Sequence, residues 1–215
     1  MAEKYLFDFD GTLVDSMPTY IHVMLRILEE NDVPYGDDLV KIITPLGFTY
    51  TAKYFREALG MQMPEDKIVD LMREYATYEY THNIPAKPNV IEVLKKLKAE
   101  GADLNVLTAS PHTSLDPCLK RLGIWELFTN VWSCDDFGTT KADPRIYHMC
   151  ADKMGTTVEN IWFLDDNINA DKTAKEAGVQ VCGVYDDSSK DSIDEMQSVC
   201  HRYIFDFIEL IQETA

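Results

Sequence analysis

The stretch KYLFDFDGTLVDS, residues 4–16, sets two carboxylates, Asp8 and Asp10, at the end of a run of large apolar side chains. Isolated buried charges are costly, so acids gathered where a buried strand ends persist if a cation sits among them. Other polar groups follow further apolar segments: Thr108 with Ser110, Lys141, and the adjacent pair Asp165 and Asp166. A carboxylate- and hydroxyl-rich set of this kind points to Mg²⁺, which prefers oxygen ligands, keeps some of its waters and accepts phosphate as a co-ligand. Each group also has a plainer use. Asp-x-Asp-Gly suits a capped turn, Thr108 and the Asp165–Asp166–Asn167 run suit helix N-caps, and Lys141 suits a solvated helix start.

Bringing these residues together requires a sheet whose strands all end on one edge. The chain alternates strand and helix, which predicts an α/β class fold: a Rossmann-like parallel sheet flanked by helices. Strands are expected at 4–7, 102–110, 129–134, 159–167 and 179–185, with a short sixth near 201–205. Helices are expected around 113–122, 143–154, 168–177 and 206–213. The amphipathic run NVIEVLKKLKAEG before the second strand closes on Gly101. In an open parallel sheet, ligands bind at the carboxyl ends of the strands, near the point where strand order reverses. Asp8, Asp10, Thr108, Ser110, Lys141, Asp165 and Asp166 would meet there.

Residues 17–82 break the alternation. They read as helices only, with Pro18 in a first turn, a second helix closing on Gly60, and a third opening at Pro64. The proline-containing NIPAKP, 83–88, reads as a return linker. The expected organisation is a core of residues 1–16 and 83–215, with a small all-helical domain at 17–82.

Composition narrows the function. Of 215 residues, 37 are acidic and 20 are Lys or Arg, a net charge of −17. Such a surface repels nucleic-acid phosphates and anionic lipid, so neither nucleic acid nor membrane is an expected partner. No apolar run is long enough to span a bilayer, and the acids in the first ten residues do not suit a signal peptide. Cys118, Cys134, Cys150, Cys182 and Cys200 are scattered without a C-x-x-C pair. Reduced thiols and a cytoplasmic location follow as expectations.

The motifs resemble those of the haloacid dehalogenase (HAD) superfamily, the aspartate-nucleophile hydrolases. DFDGTLVDS resembles its first motif, NVLTAS its second, KADPRIY its third, with Ala142 where proline is usual, and IWFLDDNINADKTAKEAG its acidic fourth. The resemblance implies a nucleophile at Asp8, a general acid and base at Asp10, phosphoryl contacts from Thr108 and Lys141 with help from backbone around Ala109 and Ser110, a turn at Gly11, and Mg²⁺ ligands at Asp8, Asp10, Asp165 and Asp166. The family's second acid of the fourth motif falls on Ala170, with Asp171 one step beyond. A helical insert at this point resembles a C1-type cap, and residues 42–55, with Gly47, Lys53 and Arg56, are its candidates for substrate choice. The reading that follows is a Mg²⁺-dependent phosphatase of a small phosphorylated metabolite, similar to phosphoglycolate phosphatases, with an aspartyl-phosphate intermediate. A β-phosphoglucomutase-like phosphomutase on the same scaffold is the alternative. A phospho-ligand-binding or receiver-like signalling domain fits less well, since receivers order their acids, Thr and Lys differently.

Overall fold

The computed structural model describes residues 3–44 and 46–212. The chain divides into two compact units, residues 1–15 with 85–215, and residues 16–84.

The first unit is built on six parallel strands: β1 (Lys4–Phe7), β2 (Asp103–Thr108), β3 (Asn130–Ser133), β4 (Ile161–Asp165), β5 (Gln180–Val184) and β6 (Arg202–Ile204). Their order across the sheet is β3-β2-β1-β4-β5-β6. Consecutive residues Leu6 and Phe7 are both buried, as are Leu104 through Thr108. A strand buried on successive residues is covered on both faces, which is why these segments read as apolar runs rather than as alternation. Strand β1 pairs on one side with β2, Phe7 opposite Val106, and on the other with β4, Phe7 opposite Leu164. Strand order thus reverses between β1 and β4, and the chain just beyond Phe7 and Leu164 emerges on one edge.

The flanking helices of this unit, numbered after the helices of the second unit that precede them in the chain, are α5 (Val90–Ala99), α6 (His112–Arg121), α7 (Arg145–Lys153), α8 (Ile168–Glu176) and α9 (Ile193–Val199). In α5, Val90, Val93, Leu94 and Leu97 recur at helical spacing and are all buried. Helix α8 starts on Asn167, whose side chain accepts the Asn169 amide at 2.9 Å. Beneath the sheet, Leu6, Ile146, Tyr147, Phe163, Ala170, Ala174 and Val181 share one apolar cluster. The segment expected as a helix at 206–213 is instead a 3₁₀ turn over Phe207–Ile211, capped by Asp206 and Glu209; residue 213 lies outside the described residues.

The second unit holds α1 (Met17–Glu30), α2 (Leu39–Ile43), α3 (Gly47–Glu57) and α4 (Glu65–His82). Its own core includes Val23, Ile27, Leu28, Phe55, Ile68 and Met72, so α1, α3 and α4 bury their apolar stripes on one another. Pro45, within the 42–55 stretch, lies outside the described residues. Among the described residues no helix is long and apolar enough to cross a membrane.

Candidate active site

The backbone builds the site from the ends of two neighbouring strands. The Asp8 amide donates to the Leu164 carbonyl at 2.8 Å, extending the β1–β4 ladder by one residue. Asp8 is therefore fixed beside Asp165, the last residue of β4, and Asp166 follows it. One carboxylate oxygen from each of Asp8, Asp165 and Asp166 lies within 4.8 Å of the others, and all three residues are buried. Lys141 reaches this group from the turn before α7. Its ammonium donates to Asp8 Oδ1 and to Asp165 Oδ2, each at 2.6 Å. Asp165 also accepts the Asn167 amide through its other oxygen at 2.7 Å.

After β1 the chain turns sharply. The Gly11 amide donates to the Val14 carbonyl, and the Leu13 and Val14 amides donate to the Phe9 carbonyl. Gly11 sits at φ +76°, in the left-handed region, and a Cβ there would lie 2.5 Å from Asp166 Oδ2. Only glycine fits: the main chain presses directly on the Asp166 carboxylate. Thr12 donates to the Asp166 Oδ1 atom at 3.2 Å. The same turn separates the two leading acids. Asp8 faces Lys141, whereas the Asp10 carboxylate accepts the Ser110 hydroxyl at 2.5 Å and stands outside the buried trio.

Thr108 ends β2 and is buried. Its hydroxyl oxygen accepts the Ser110 amide at 3.0 Å. The Ser110 amide, which the sequence suggested as a phosphoryl donor, is thus turned onto Thr108, and Ser110 meets Asp10 through its hydroxyl. Ala109 is exposed. Thr108, Ser110 and Asp10 form a second polar group on β2 and the turn, beside the Asp8, Lys141, Asp165 and Asp166 group.

Charge is unbalanced here. Burial pushes the Asp8 carboxyl well above the usual range; Lys141 opposes this, while Asp165, Asp166 and Asp10 add to it. Asp166 is pushed up to about 8 by burial and by Asp165 and Asp186, against Lys141 and Lys87. Burial alone would lower Lys141, but the Asp165 and Asp8 carboxylates outweigh it and hold the ammonium protonated. Ionising all three carboxyls against a single ammonium needs further positive charge, which a divalent cation would supply, and the donors are all oxygen. The residues therefore fit a Mg²⁺ ion, with Asp8, Asp165 and Asp166 offering side-chain oxygens.

Three residues that the sequence reading passed over support this geometry. Tyr147, six residues after Lys141 on α7, is buried and its hydroxyl lies 3.2 Å from both the Lys141 and Ala170 carbonyls, tying the lysine's turn to α8. Lys87, in the NIPAKP segment, donates to the Gly11 carbonyl at 2.6 Å. Asp186, after β5, is buried and accepts Lys87 at 2.9 Å. Helical spacing could have marked Tyr147; nothing local marks Lys87. Asp171 is fully buried on α8, accepts the Cys200 thiol at 3.2 Å through Oδ2, and its Oδ1 has no hydrogen-bond partner among the described residues.

The chain is similar to several known proteins. A curated phosphorylated carbohydrates phosphatase from Thermotoga maritima is 25% identical over 178 residues, covering 83% of this chain and 82% of that one. A phosphoglycolate phosphatase from Pasteurella multocida is 29% identical over 190 residues, covering 83% of each. Among solved structures, a candidate β-phosphoglucomutase from Thermotoga maritima superposes with a TM-score of 0.86 at 22% identity, covering 99% of this chain and 100% of that one. CbbY from Rhodobacter sphaeroides, solved with xylulose-(1,5)bisphosphate, gives 0.76 at 20% identity, covering 98% and 96%. Both structural likenesses speak for the fold. The sequence profile of the haloacid dehalogenase-like hydrolases matches residues 5–184, most of the chain, and the protein belongs to that family of enzymes.

Proposed function

We propose that the protein is a Mg²⁺-dependent phosphatase that hydrolyses a small phosphorylated metabolite through an aspartyl-phosphate on Asp8. The observation that carries this reading is the convergence of Asp8, Lys141, Asp165 and Asp166 at the carboxyl edge of two adjacent parallel strands. An Asp8 carboxylate oxygen attacks phosphorus and the bond to the leaving oxygen breaks. Asp10 gives that oxygen its proton, then takes a proton from the water that cleaves the Asp8–phosphorus bond, releasing inorganic phosphate and restoring the carboxylate. Lys141 offsets charge on Asp8 and on the transferring group, and Thr108 offers a hydroxyl to a phosphoryl oxygen. Ser110 orients Asp10 through the 2.5 Å hydrogen bond, and Gly11 lets the turn approach Asp166. Asp8, Asp165 and Asp166 would hold Mg²⁺ through side-chain oxygens, joined by the Asp10 main-chain carbonyl. When bound, the ion supplies positive charge where the carboxylates and the phosphoryl oxygens meet.

The helical unit is assigned the role of a cap that selects the leaving group. Support comes from its point of insertion. The Asp15 amide donates to the Pro85 carbonyl at 3.0 Å, and Val14 bridges Ala86, so the chain leaves and re-enters the core immediately after the turn bearing Asp10. The names of the curated relatives favour phosphate esters of small metabolites as substrates.

The test is phosphate release from p-nitrophenyl phosphate and from a panel of phosphorylated metabolites. Turnover should require Mg²⁺, stop with chelator and vanish in Asp8→Asn. A parent enzyme that gains one phosphoryl group on acid quench, with none on the variant, would place the intermediate. Turnover undiminished in Asp8→Asn would overturn the assignment. Phosphate release that needs no added bisphosphate separates a phosphatase from a mutase.

A further inference from the structure

Lys87 lies in the return linker, between Ala86 and Pro88. Its side chain is only 14% exposed, and its ammonium is enclosed by three acceptors. It donates to the Gly11 carbonyl at 2.6 Å, to the Tyr185 carbonyl at 2.5 Å and to Asp186 Oδ2 at 2.9 Å. An ammonium has three donors, and all three are engaged. Asp186 is in turn held by the Ser188 amide at 3.0 Å and the Ser188 hydroxyl at 2.6 Å. The Lys87 amide donates to the Leu13 carbonyl at 3.0 Å. One residue therefore grips the turn after β1 twice, once by main chain and once by side chain.

What it grips matters. Gly11 is the residue whose main chain abuts the Asp166 carboxylate, and Thr12 beside it donates to the same carboxylate. A shift of the Gly11 peptide would carry both contacts with it. We propose that Lys87 is a positioning residue for the acidic trio: by anchoring the Gly11 carbonyl to Asp186 and the end of β5, it fixes the turn that locates Asp166, and so sets the affinity of the trio for a divalent cation. The proposal rests on the metal-dependent reading above. Partners one shell out from a metal commonly govern affinity in this way, because they hold the ligand in place.

Lys4 provides a matched comparison. It is a similarly half-buried lysine, at the opposite end of β1, bonded to Asp103 at 2.8 Å and to the Met154 carbonyl at 3.3 Å. Removing it should cost stability without touching the trio.

The experiment titrates Mn²⁺, followed by its paramagnetic resonance signal, into metal-free parent, Lys87→Met, Lys87→Gln and Lys4→Met, with folding checked by circular dichroism. Lys87→Met should weaken binding about tenfold or more. Lys87→Gln, which keeps a donor for one carbonyl, should weaken it less, and Lys4→Met should match the parent. If Lys87→Met does not fold, Lys87→Gln decides alone, with a loss above about threefold expected. A loss below that in the folded Lys87 variant, or an equal loss in Lys4→Met, overturns the proposal while leaving the metal site intact. A parent that binds no Mn²⁺ saturably sinks the metal-dependent reading itself, and this inference with it.

Discussion

Substituting Gly11 by alanine tests the turn against the site it serves. Two costs separate cleanly. The first is conformational: an L side chain at φ +76° carries about 1–2 kcal/mol of strain. The second is steric. The new Cβ would lie 2.5 Å from Asp166 Oδ2, 2.7 Å from Cγ and 2.8 Å from Oδ1, whereas ordinary contact begins at 3.4 Å. The turn or the carboxylate must therefore move by about 0.9 Å, the difference between 3.4 and 2.5 Å. Asp166 is buried and bonded to Thr12, so it cannot simply swing into solvent. A misplacement of about 1 Å in a catalytic constellation costs on the order of 100-fold, about 2.7 kcal/mol of transition-state stabilisation. Gly155→Ala supplies the control, since Gly155 has φ +63° but nothing within 4 Å of its Cβ position. Gly155→Ala should lose about 1–2 kcal/mol in urea unfolding, and Gly11→Ala at least as much, since the steric cost adds to the conformational one. Only Gly11→Ala should lose about 100-fold in kcat/KM for p-nitrophenyl phosphate at saturating Mg²⁺. Equal activities in the two variants would refute the claim that the Gly11 backbone positions Asp166.

Two more perturbations follow from the buried charges. Lys141→Met leaves Asp8 and Asp165 without their shared ammonium; in chelator at neutral pH it should destabilise the protein by about 3–5 kcal/mol in urea unfolding, and a loss below about 1 kcal/mol would show that the contacts are not formed. In the metal-free protein, burial, reinforced by Asp165, raises Asp171 from 3.8 to about 8. The folded state then keeps a proton that the unfolded chain releases, so this residue's contribution is complete below about pH 4 and drains away as pH climbs toward about 8. Asp171→Asn does not titrate, so its stability relative to the parent should improve with rising pH by up to about 1.4 kcal/mol per unit; a difference that is flat between about pH 5 and 7.5 refutes the assignment.

The parts of this molecule that could be read from the chain are those written locally. KYLF followed by acids announces a covered strand ending at a polar edge, and Asp8 and Asp165 do emerge side by side. The α5 stripe of Val90, Val93, Leu94 and Leu97 has the helical period. The divergence of Asp8 and Asp10 was hidden, because two acids two residues apart share a face only while the strand continues, and β1 stops at Phe7. Helix α2 has five residues, too few for a period to show. Helix α9 lies in a polar stretch, with Met196 its one buried residue. Lys87 looked like linker because its purpose depends on Gly11, Tyr185 and Asp186, brought to it only by the folded sheet. The ending at 206–213 misled because its apolar residues suit a helix, yet Asp206 and Glu209 lock a tighter turn there.

The pairing of Val14 with Ala86, flanked by Asp15 to Pro85 and Lys87 to Leu13, gives the long excursion between them a closed neck. Closing a loop costs free energy that grows only with the logarithm of its length, about 0.6 kcal/mol per doubling, so further lengthening of an excursion this long costs the core little. Descendants of such a chain can trade the whole excursion for another, or enlarge it, without disturbing strand register. If the helical unit selects the leaving group as proposed, changes of specificity can accumulate on that appendage while the aspartates stay put.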